Sequence, residues 1–305
     1  MKKILVVTFS QSGQLDEIVS NITDQFSNDI EVHYEKLQPI PSFNFPWKGN
    51  TFYDAMPESV RMIPAKLEPL SFNPNDDFDL IILGYPIWFL SSPIPLTTFL
   101  KSKEAKTVMK GKPILTVIGA RNMWVMAQED IKQMIIDTGG LLKGNIALHD
   151  RHNNLSSVVT IIYWMMTGKK QRYLGLFPKP GISDKDIFDV KRFAPVIFES
   201  IINGRYEKLQ DKLVSLNAVE LSPNVVSTEE KGKKMFKIWA RFILRKGGPG
   251  SQQRVTRLKM FSWYLMFVIF AVSPIVTVLF YLTWPLRFLG IRKKMKYYSG
   301  VELRN

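Results

Sequence analysis

Residues 10–14 place two hydroxyl and two amide side chains around a glycine, in the order Ser10, Gln11, Ser12, Gly13 and Gln14. An apolar run precedes this segment and a helical pattern follows it, so the segment is predicted to open a helix. The first backbone N–H groups of a helix lack partners within it and lie at the positive end of its dipole, which favours anions. We therefore predict a phosphate-binding loop. The alternative is an ordinary turn in which Ser12 caps the helix.

Two further loops carry aromatic side chains directly after apolar runs. They are residues 84–89, Gly-Tyr-Pro-Ile-Trp-Phe, and residues 119–124, Gly-Ala-Arg-Asn-Met-Trp. Exposed aromatic side chains beside a rigid sheet are unfavourable unless they contact something, and here they could stack on a planar ring. Packing against residues 37–75 is the alternative, above all for Trp124. Arg121 is predicted to contact an anion or a carbonyl group.

Cysteine and histidine content excludes several kinds of chemistry. The chain has no cysteine, which excludes disulfides, thiolate metal sites and cysteine nucleophiles. His33, His149 and His152 are too few and too scattered to indicate a zinc site, so no metal is predicted. His149 and His152 follow the last predicted strand and are candidate bases. A surface or structural role is the alternative for both histidines.

The elements that must position these loops form an alternating pattern. Apolar runs predict strands over residues 4–8, 78–84, 113–119 and 141–148, and an alternating pattern predicts a short strand over 30–35. Helical spacing predicts helices over 15–27, from 95 to 101, from 127 to about 138 and over 184–203. This alternation predicts an α/β fold with a doubly wound, five-stranded parallel sheet. Such sheets bind ligands at the carboxyl ends of their strands, where all three loops would lie.

Three segments interrupt or extend that pattern. Residues 37–75 contain seven prolines and are predicted to form a long surface excursion with one short helix near 58–63. Residues 151–183 are predicted to be an insertion before the last helix. Residues 217–232 and 247–253 are predicted to be linkers.

The charge is divided unevenly between the two halves of the chain. Residues 1–150 hold 14 basic and 17 acidic residues, a net charge of −3, whereas residues 151–305 hold 27 and 10, a net charge of +17. The first apolar run is too short for a secretory signal, so we expect the chain to start in the cytoplasm. A basic half beside an acidic half indicates two separate tasks.

Residues 260–286 are 27 residues without a formal charge. A helix of that length spans about 40 Å, against about 30 Å of bilayer hydrocarbon, which predicts a membrane anchor. Basic residues flank both ends, and a single span would place one basic cluster outside the cell. With Pro274 in the middle, we therefore favour a re-entrant hairpin with both ends cytoplasmic over one tilted span. A buried helix of a soluble protein is the third alternative.

Two shorter segments are also predicted to meet a membrane. Residues 233–246 mix bulky apolar and basic side chains at near-helical spacing, which is typical of an amphipathic helix on anionic lipid. Nucleic-acid binding is not expected, because the basic residues flank apolar sequence of membrane length. Residues 158–166 are apolar but too short to span, so they lie in the interface or close over the ligand pocket.

The loops resemble those of the flavodoxin-like superfamily over residues 1–203. Ser-x-Ser-Gly-x matches its FMN phosphate loop, and Gly-Tyr-Pro-Ile-Trp matches the ring loop of the NAD(P)H:quinone-reductase branch. The resemblance implies that residues 10–14 hold the phosphate of FMN. It also implies that the ring is flanked by Pro86, Ile87, Trp88 and Phe89 on one side and by Ala120, Arg121 and Asn122 on the other. Leu15 replaces the Thr or Asn of many flavodoxins, which predicts weaker FMN binding.

The chain further resembles the bacterial dialkylresorcinol condensing enzymes. Residues 119–124, the 151–183 insertion and the basic apolar tail carry this likeness. It implies oxidation of a lipid-like cyclohexanedione to an aromatic ring in dialkylresorcinol or flexirubin biosynthesis. Thiolase-type condensation uses a cysteine nucleophile, which this chain lacks. A flavin that accepts a hydride, with a nearby group to take a proton, would suffice for that oxidation.

The expected organisation has three parts: an FMN-binding domain over 1–205, a basic linker with an amphipathic helix over 206–253, and a membrane segment with a basic tail over 254–305. We expect an oxidoreductase on the cytoplasmic face of a bacterial inner membrane that acts on a lipophilic small molecule and contacts anionic lipid. A homodimer is expected by analogy with related quinone reductases. A flavodoxin-type electron carrier and a flavin-free membrane scaffold are the alternatives.

Overall fold

Five parallel strands form the central sheet of the computed structural model, which describes residues 1–303. The strands are β1 Lys2–Thr8, β2 Ile30–Lys36, β3 Leu80–Pro86, β4 Pro113–Ala120 and β5 Leu141–His149. Their order in the sheet is β2-β1-β3-β4-β5, the order of flavodoxin-like doubly wound sheets. The predicted fold class and all five predicted strands are confirmed, with boundaries that differ by at most two residues.

Alternating strand residues feed two hydrophobic cores, one on each face of the sheet. Ile4 and Val6 of β1 belong to one core, and Leu5 and Val7 belong to the other. Successive side chains of a strand point to opposite faces, so a strand buried on both faces must be apolar throughout. This burial explains the continuous apolar runs in the sequence.

Residues 1–303 also form thirteen α-helices, eight of which pack on the faces of the sheet. They are α1 Gln14–Thr23, α2 Thr51–Asp54, α3 Met56–Val60, α4 Ile94–Leu100, α5 Lys103–Val108, α6 Val125–Asp137, α7 Asn154–Thr167, α8 Asp184–Asp189, α9 Ala194–Asn203, α10 Leu209–Ser215, α11 Pro223–Leu244, α12 Val255–Phe267 and α13 Ser273–Tyr298. Helices α1, α8, α9 and α10 pack on one face, and α4, α5, α6 and α11 pack on the other.

Residues 37–75 are more ordered than the surface excursion that their prolines predict, and the predicted short helix near 58–63 is found at Met56–Val60. They contain α2, α3 and a two-stranded ladder of Pro39–Ile40 with Lys66–Leu67. Trp47 and Met56 are buried there, because the segment folds back over the loop that follows β3. The linker prediction for 217–232 is also wrong in part, since α11 begins at Pro223 and packs on the domain.

A row of buried hydrogen bonds crosses the sheet beneath the loops. Gln128 of α6 accepts from the Tyr85 hydroxyl and donates to Thr116 Oγ1 at 3.0 Å, and Thr116 donates to Asn145 Oδ1 at 2.9 Å. The backbone N–H of Asn145 donates to Gln210 Oε1 at 2.7 Å. Gln210 in turn donates to the carbonyl of Ser299 at 2.7 Å, so the row ends just beyond the last helix.

The apolar C-terminal segment is helical throughout and long enough to cross a membrane. Its most apolar part is almost entirely unburied by protein. A π-helical turn at Val268–Val272 joins α12 to α13, and the Ser273 N–H donates to the carbonyl of Val268. This wider turn makes room for Pro274, whose ring would collide with a carbonyl of a regular helix. Pro274 therefore does not break the helix.

Both ends of this helical segment contact the same helix, α11. Near its beginning, Arg257 donates to the carbonyl of Phe242. Near its end, Lys294 and Tyr298 bind the Glu230 carboxylate at 2.6 and 2.8 Å. Phe242 and Glu230 lie about 18 Å apart along α11, whereas a straight helix would separate Arg257 from Lys294 by about 55 Å. The segment must therefore bend back, and both ends lie on the same side of the domain.

Arg254 attaches the beginning of this segment to the domain by a buried ion-pair cluster. Its guanidinium is fully buried and donates to Asp54 Oδ1 at 2.6 Å and to Glu58 Oε1 at 2.7 Å. Removing one partner of a buried ion pair leaves the remaining charge without compensation.

We expect Arg254→Met to lower the free energy of unfolding by about 3–5 kcal/mol, because two carboxylates would lose their counter-ion. The exposed Arg245→Met is the matched control and should change it by less than about 0.5 kcal/mol. Denaturant titration of both variants in detergent, followed by circular dichroism, measures the difference. Equal losses in the two variants would contradict the prediction.

Candidate functional site

A cavity of about 260 Å³ opens at the carboxyl ends of β1, β3 and β4. It brings together most of the sequence-predicted site: Ser10, Gln11, Ser12, Gln14, Pro86, Ile87, Trp88, Phe89, Ala120 and Arg121 all line it. Gly13 and Asn122 are the two predicted cofactor-binding residues outside that lining. The three loops therefore meet at one point of the sheet, as the topology of parallel strands requires.

The first loop turns into α1 through Gly13, which has φ +81°. Helix α1 begins at the next residue without a side-chain cap, so Ser12 is not the N-cap. Ser10 Oγ instead accepts from the Leu15 N–H at 3.3 Å, which closes the loop. The amide nitrogen of Gln11 is buried without a hydrogen-bond partner among the described residues.

Gln14 is engaged in a different contact from the one predicted. Its side-chain amide exchanges two hydrogen bonds with the backbone of Ile182, at 3.2 and 3.3 Å. The side chain therefore ties the first loop to the end of the 151–183 segment. The neighbouring Gly181 has φ +79°, and a Cβ there would lie 2.7 Å from Trp164, so glycine is required.

The second loop contains a strained two-residue turn. Trp88 and Ser91 exchange backbone hydrogen bonds of 3.1 and 2.8 Å, with Phe89 and Leu90 between them. Phe89 and Leu90 have φ +48° and +58°, the signs of a type I′ turn that usually holds Asn or Gly. Left-handed conformations cost non-glycine residues about 1–2 kcal/mol each, so neighbouring groups must hold this turn in place.

The aromatic side chains of the loops divide between core and cavity. Trp88 is only 6% exposed and packs edge-on against Phe43, Trp47 and Phe9 at centroid distances of 4.9, 5.4 and 5.5 Å. Packing against residues 37–75 is thus its main role, although one edge reaches the cavity. Trp124 is buried in the hydrophobic core and cannot stack on a ligand.

The third loop is tied to the start of α7. Arg121 donates to the side-chain oxygen of Asn154 at 2.8 Å, and Asn122 donates to the same oxygen at 2.8 Å. Burial lowers the pKa of Arg121 to about 10, partly offset by the charge of Asp150. The guanidinium remains charged at neutral pH and places a cation on the cavity wall.

The two candidate histidine bases do not reach the cavity. His152 Nδ1 is hydrogen-bonded to Asp150 Oδ1 at 2.6 Å, and Asp150 Oδ2 accepts a hydrogen bond from the Ser157 hydroxyl at 2.6 Å. Burial lowers the pKa of His149, which lies among Glu220, Arg151 and Asp186. His149 is the last residue of β5, the edge strand, and His152 follows that strand, whereas the cavity lies over the centre of the sheet.

Helix α7 closes the cavity from above. Ile161, Trp164 and Met165 line it, and the carbonyl of Met165 accepts from the Trp47 N–H at 2.8 Å. Of the two alternatives for residues 158–166, the structure therefore favours the pocket cover over the membrane interface. Apolar side chains of α7 therefore form this wall of the cavity.

Two ionisable residues of α11 hold the loops from behind, and neither was predicted from the sequence. Lys233 donates to the carbonyl of Leu90 at 2.8 Å, to Ser91 Oγ and to Asp130 of α6. Glu229 accepts from the Met126 N–H at 2.8 Å, at the start of α6. Both belong to the buried stripe of α11 together with Val226, Phe236 and Ala240. The helical spacing of the apolar members of this stripe was the signal in the sequence from which its buried face could have been predicted.

Burial raises the pKa of Glu229 to about 8, against the opposing effects of backbone N–H groups and Lys233. The folded state therefore binds more protons than the unfolded state, whose carboxyl titrates near 4.5. We expect stability to fall as pH rises from about 5 to about 8. In Glu229→Gln this contribution should vanish, whereas the exposed Glu207→Gln should keep it. Thermal unfolding midpoints across that range measure the slope, and parallel slopes in the two variants would refute the assignment.

No family model and no curated protein matches the chain. Among solved structures, the chain is similar to a flavoprotein in complex with FMN from Lactobacillus acidophilus NCFM, at 15% identity and a TM-score of 0.37, over 48% of this chain and 93% of that one. It is also similar to a flavodoxin from the domain Archaea, at 15% identity and a TM-score of 0.34, over 66% of this chain and 99% of that one. A third similar structure is an FMN-dependent NADH-azoreductase from Bacillus anthracis str. Ames Ancestor in complex with FMN. The identity is 9% and the TM-score 0.33, over 67% of this chain and 99% of that one. The fold class rests on the strand order described above.

Proposed function

We propose that this chain is a membrane-associated, FMN-dependent oxidoreductase that acts on a lipophilic ring. One observation carries the proposal. A loop with a buried, unpartnered amide leads into α1, and it lines the same cavity as the loops after β3 and β4, which would flank a planar ring. Gln11 and the first N–H groups of α1 would hold the phosphate. No heavy atom lies within 4 Å of where a Cβ of Gly13 would be, so the backbone is open to a close approach.

FMN would supply two-electron chemistry as a hydride acceptor or donor. The chain's own residues shape the space around it. Ile87 and Phe89 provide one wall for a planar ring, and Ala120 and Arg121 provide the other. Phe45, Trp47 and Phe52 complete an apolar enclosure with α7, which supports a buried reaction rather than electron transfer at a surface.

A second cavity supports a lipophilic substrate. It has a volume of about 570 Å³, and Trp47 lines both cavities. Its lining includes Phe43, Ile94 and Leu244, and it extends to the 248–250 loop that leads into the apolar helical segment. An apolar substrate could therefore pass from the bilayer towards the flavin. The finer proposal is aromatisation of a dialkylcyclohexanedione to a dialkylresorcinol.

The apolar helical segment supports membrane attachment. Trp263, Leu282 and Leu286 are 77%, 71% and 89% exposed, which is unfavourable in water. Both ends of the segment contact α11, which supports a re-entrant anchor that enters and leaves the bilayer on one side. Basic residues at both ends then stay on the cytoplasmic face, as the positive-inside tendency favours.

We expect Gln11→Leu to weaken FMN binding at least tenfold, because hydrogen bonds to charged groups contribute about 1.5–3 kcal/mol. Riboflavin lacks the phosphate, so its affinity should not change in this variant. The exposed Gln133→Leu serves as the control. Flavin fluorescence quenching measures both ligands. Equal losses of FMN and riboflavin affinity would place the phosphate elsewhere, and absence of flavin binding in the unmodified protein would remove the redox function.

The reaction itself can be tested in a single anaerobic turnover. FMN-loaded protein mixed with a dialkylcyclohexanedione should lose its oxidised-flavin absorbance as the substrate loses two hydrogens, one as hydride and one as a proton. Mass spectrometry of the product measures that loss. Bleaching by NAD(P)H but not by the dione would favour a quinone reductase. Bleaching only with a protein partner would favour an electron carrier.

A further inference from the structure

Helix α11 has two chemically different faces. Its outer face exposes Lys234, Lys237, Arg241 and Arg245 with two apolar side chains, Met235 and Ile238. A face of this composition binds anionic bilayers, with about 1 kcal/mol for each cation near the surface. Its inner face carries the buried residues Glu229 and Lys233.

The inner face contacts the loop after β3 and the start of α6, the helix that follows the loop after β4. Lys233 is 5% exposed and donates to the strained turn after β3 and to Asp130 of α6. The preceding Gly232 lies against Leu90, because a Cβ there would come within 3.0 Å of that side chain. Glu229 binds the start of α6, directly after the loop that carries Arg121. Helix α11 thus supports the two walls that flank the proposed ring position.

The same helix is held by both ends of the apolar segment. Phe261 and Tyr264 of α12 pack on Trp239 at centroid distances of 5.7 and 5.1 Å. At the other end, Lys294 and Tyr298 bind Glu230, the immediate neighbour of Glu229. The adjacent residues Glu229 and Glu230 of α11 therefore connect the end of α13 to the start of α6, which follows the loop that carries Arg121.

We propose that α11 couples bilayer binding to FMN binding, with Lys233 as the positioning residue. The inference rests on the proposed function, since it requires FMN in the cavity. If α11 left its position, the strained turn would lose its contacts with Lys233 and relax. Docking of α11 on the domain and formation of the ring site therefore occur together. Anionic lipid on the outer face stabilises that state, and FMN between the loops stabilises it as well. Two ligands that prefer the same state bind cooperatively, and each raises the affinity of the other by the same factor.

The test measures the FMN dissociation constant of the full chain in lipid nanodiscs by fluorescence quenching. Discs that contain phosphatidylglycerol should bind FMN about fivefold or more tightly than discs of phosphatidylcholine alone. In Lys233→Met this ratio should fall to about one, whereas Lys233→Arg should retain part of it. Lys106→Met, an exposed position on α5, is the matched control and should keep the full ratio.

A second variant acts on the other side of α11. Lys294→Met combined with Tyr298→Phe removes the contacts of the returning end without touching either loop, and it should also lower the ratio. This variant keeps the test decisive if Lys233→Met does not fold. Equal FMN affinity in both kinds of disc for the unmodified chain would overturn the coupling and leave the oxidoreductase proposal standing. Absence of FMN binding in either disc would overturn both.

Discussion

The left-handed turn at Phe89 and Leu90 is the constraint on which the site depends. Neither residue type favours this conformation, so the turn persists only because other contacts enforce it. The backbone pair between Trp88 and Ser91 closes it, Lys233 holds its carbonyl from behind, and Ser59 donates to the carbonyl of Trp88 at 3.1 Å. Ser59 comes from α3 and Lys233 from α11. The wall of the cavity is therefore assembled from three distant parts of the chain.

The sheet provides the rigid part of this assembly. Because β1, β3 and β4 are adjacent and parallel, their following loops must converge, and no side-chain contact is needed to bring them together. What the sheet does not provide is enclosure. The segment between β2 and β3 and the helix α7 supply it with aromatic and sulfur-containing side chains, and the backbone contact of Trp47 with Met165 joins the two covers. A scaffold common to many proteins thus carries a cavity whose walls belong to its insertions.

The sequence was sufficient to predict the sheet, because strands buried on both faces must be apolar throughout and their runs are visible without a structure. It also located the loops, since the strand ends bound them. It was insufficient for Trp88, whose packing partners at positions 43 and 47 depend on how a proline-rich segment folds. Lys233 was missed because a lysine in a basic helix normally faces solvent, and only the docking of α11 shows that this one is buried. The path of the apolar segment depends on contacts of its two ends, which local pattern does not contain.

The row of hydrogen bonds beneath the site has a consequence for biogenesis. It runs from Tyr85 through Gln128, Thr116 and Asn145 to Gln210, and the carbonyl of Ser299 accepts its last hydrogen bond. The ribosome synthesises Ser299 only after it has synthesised the whole apolar segment. The domain can therefore complete this row only once that segment has been made and has bent back towards α11. The support beneath the loops would thus be completed only after all five strands and the apolar segment have been made.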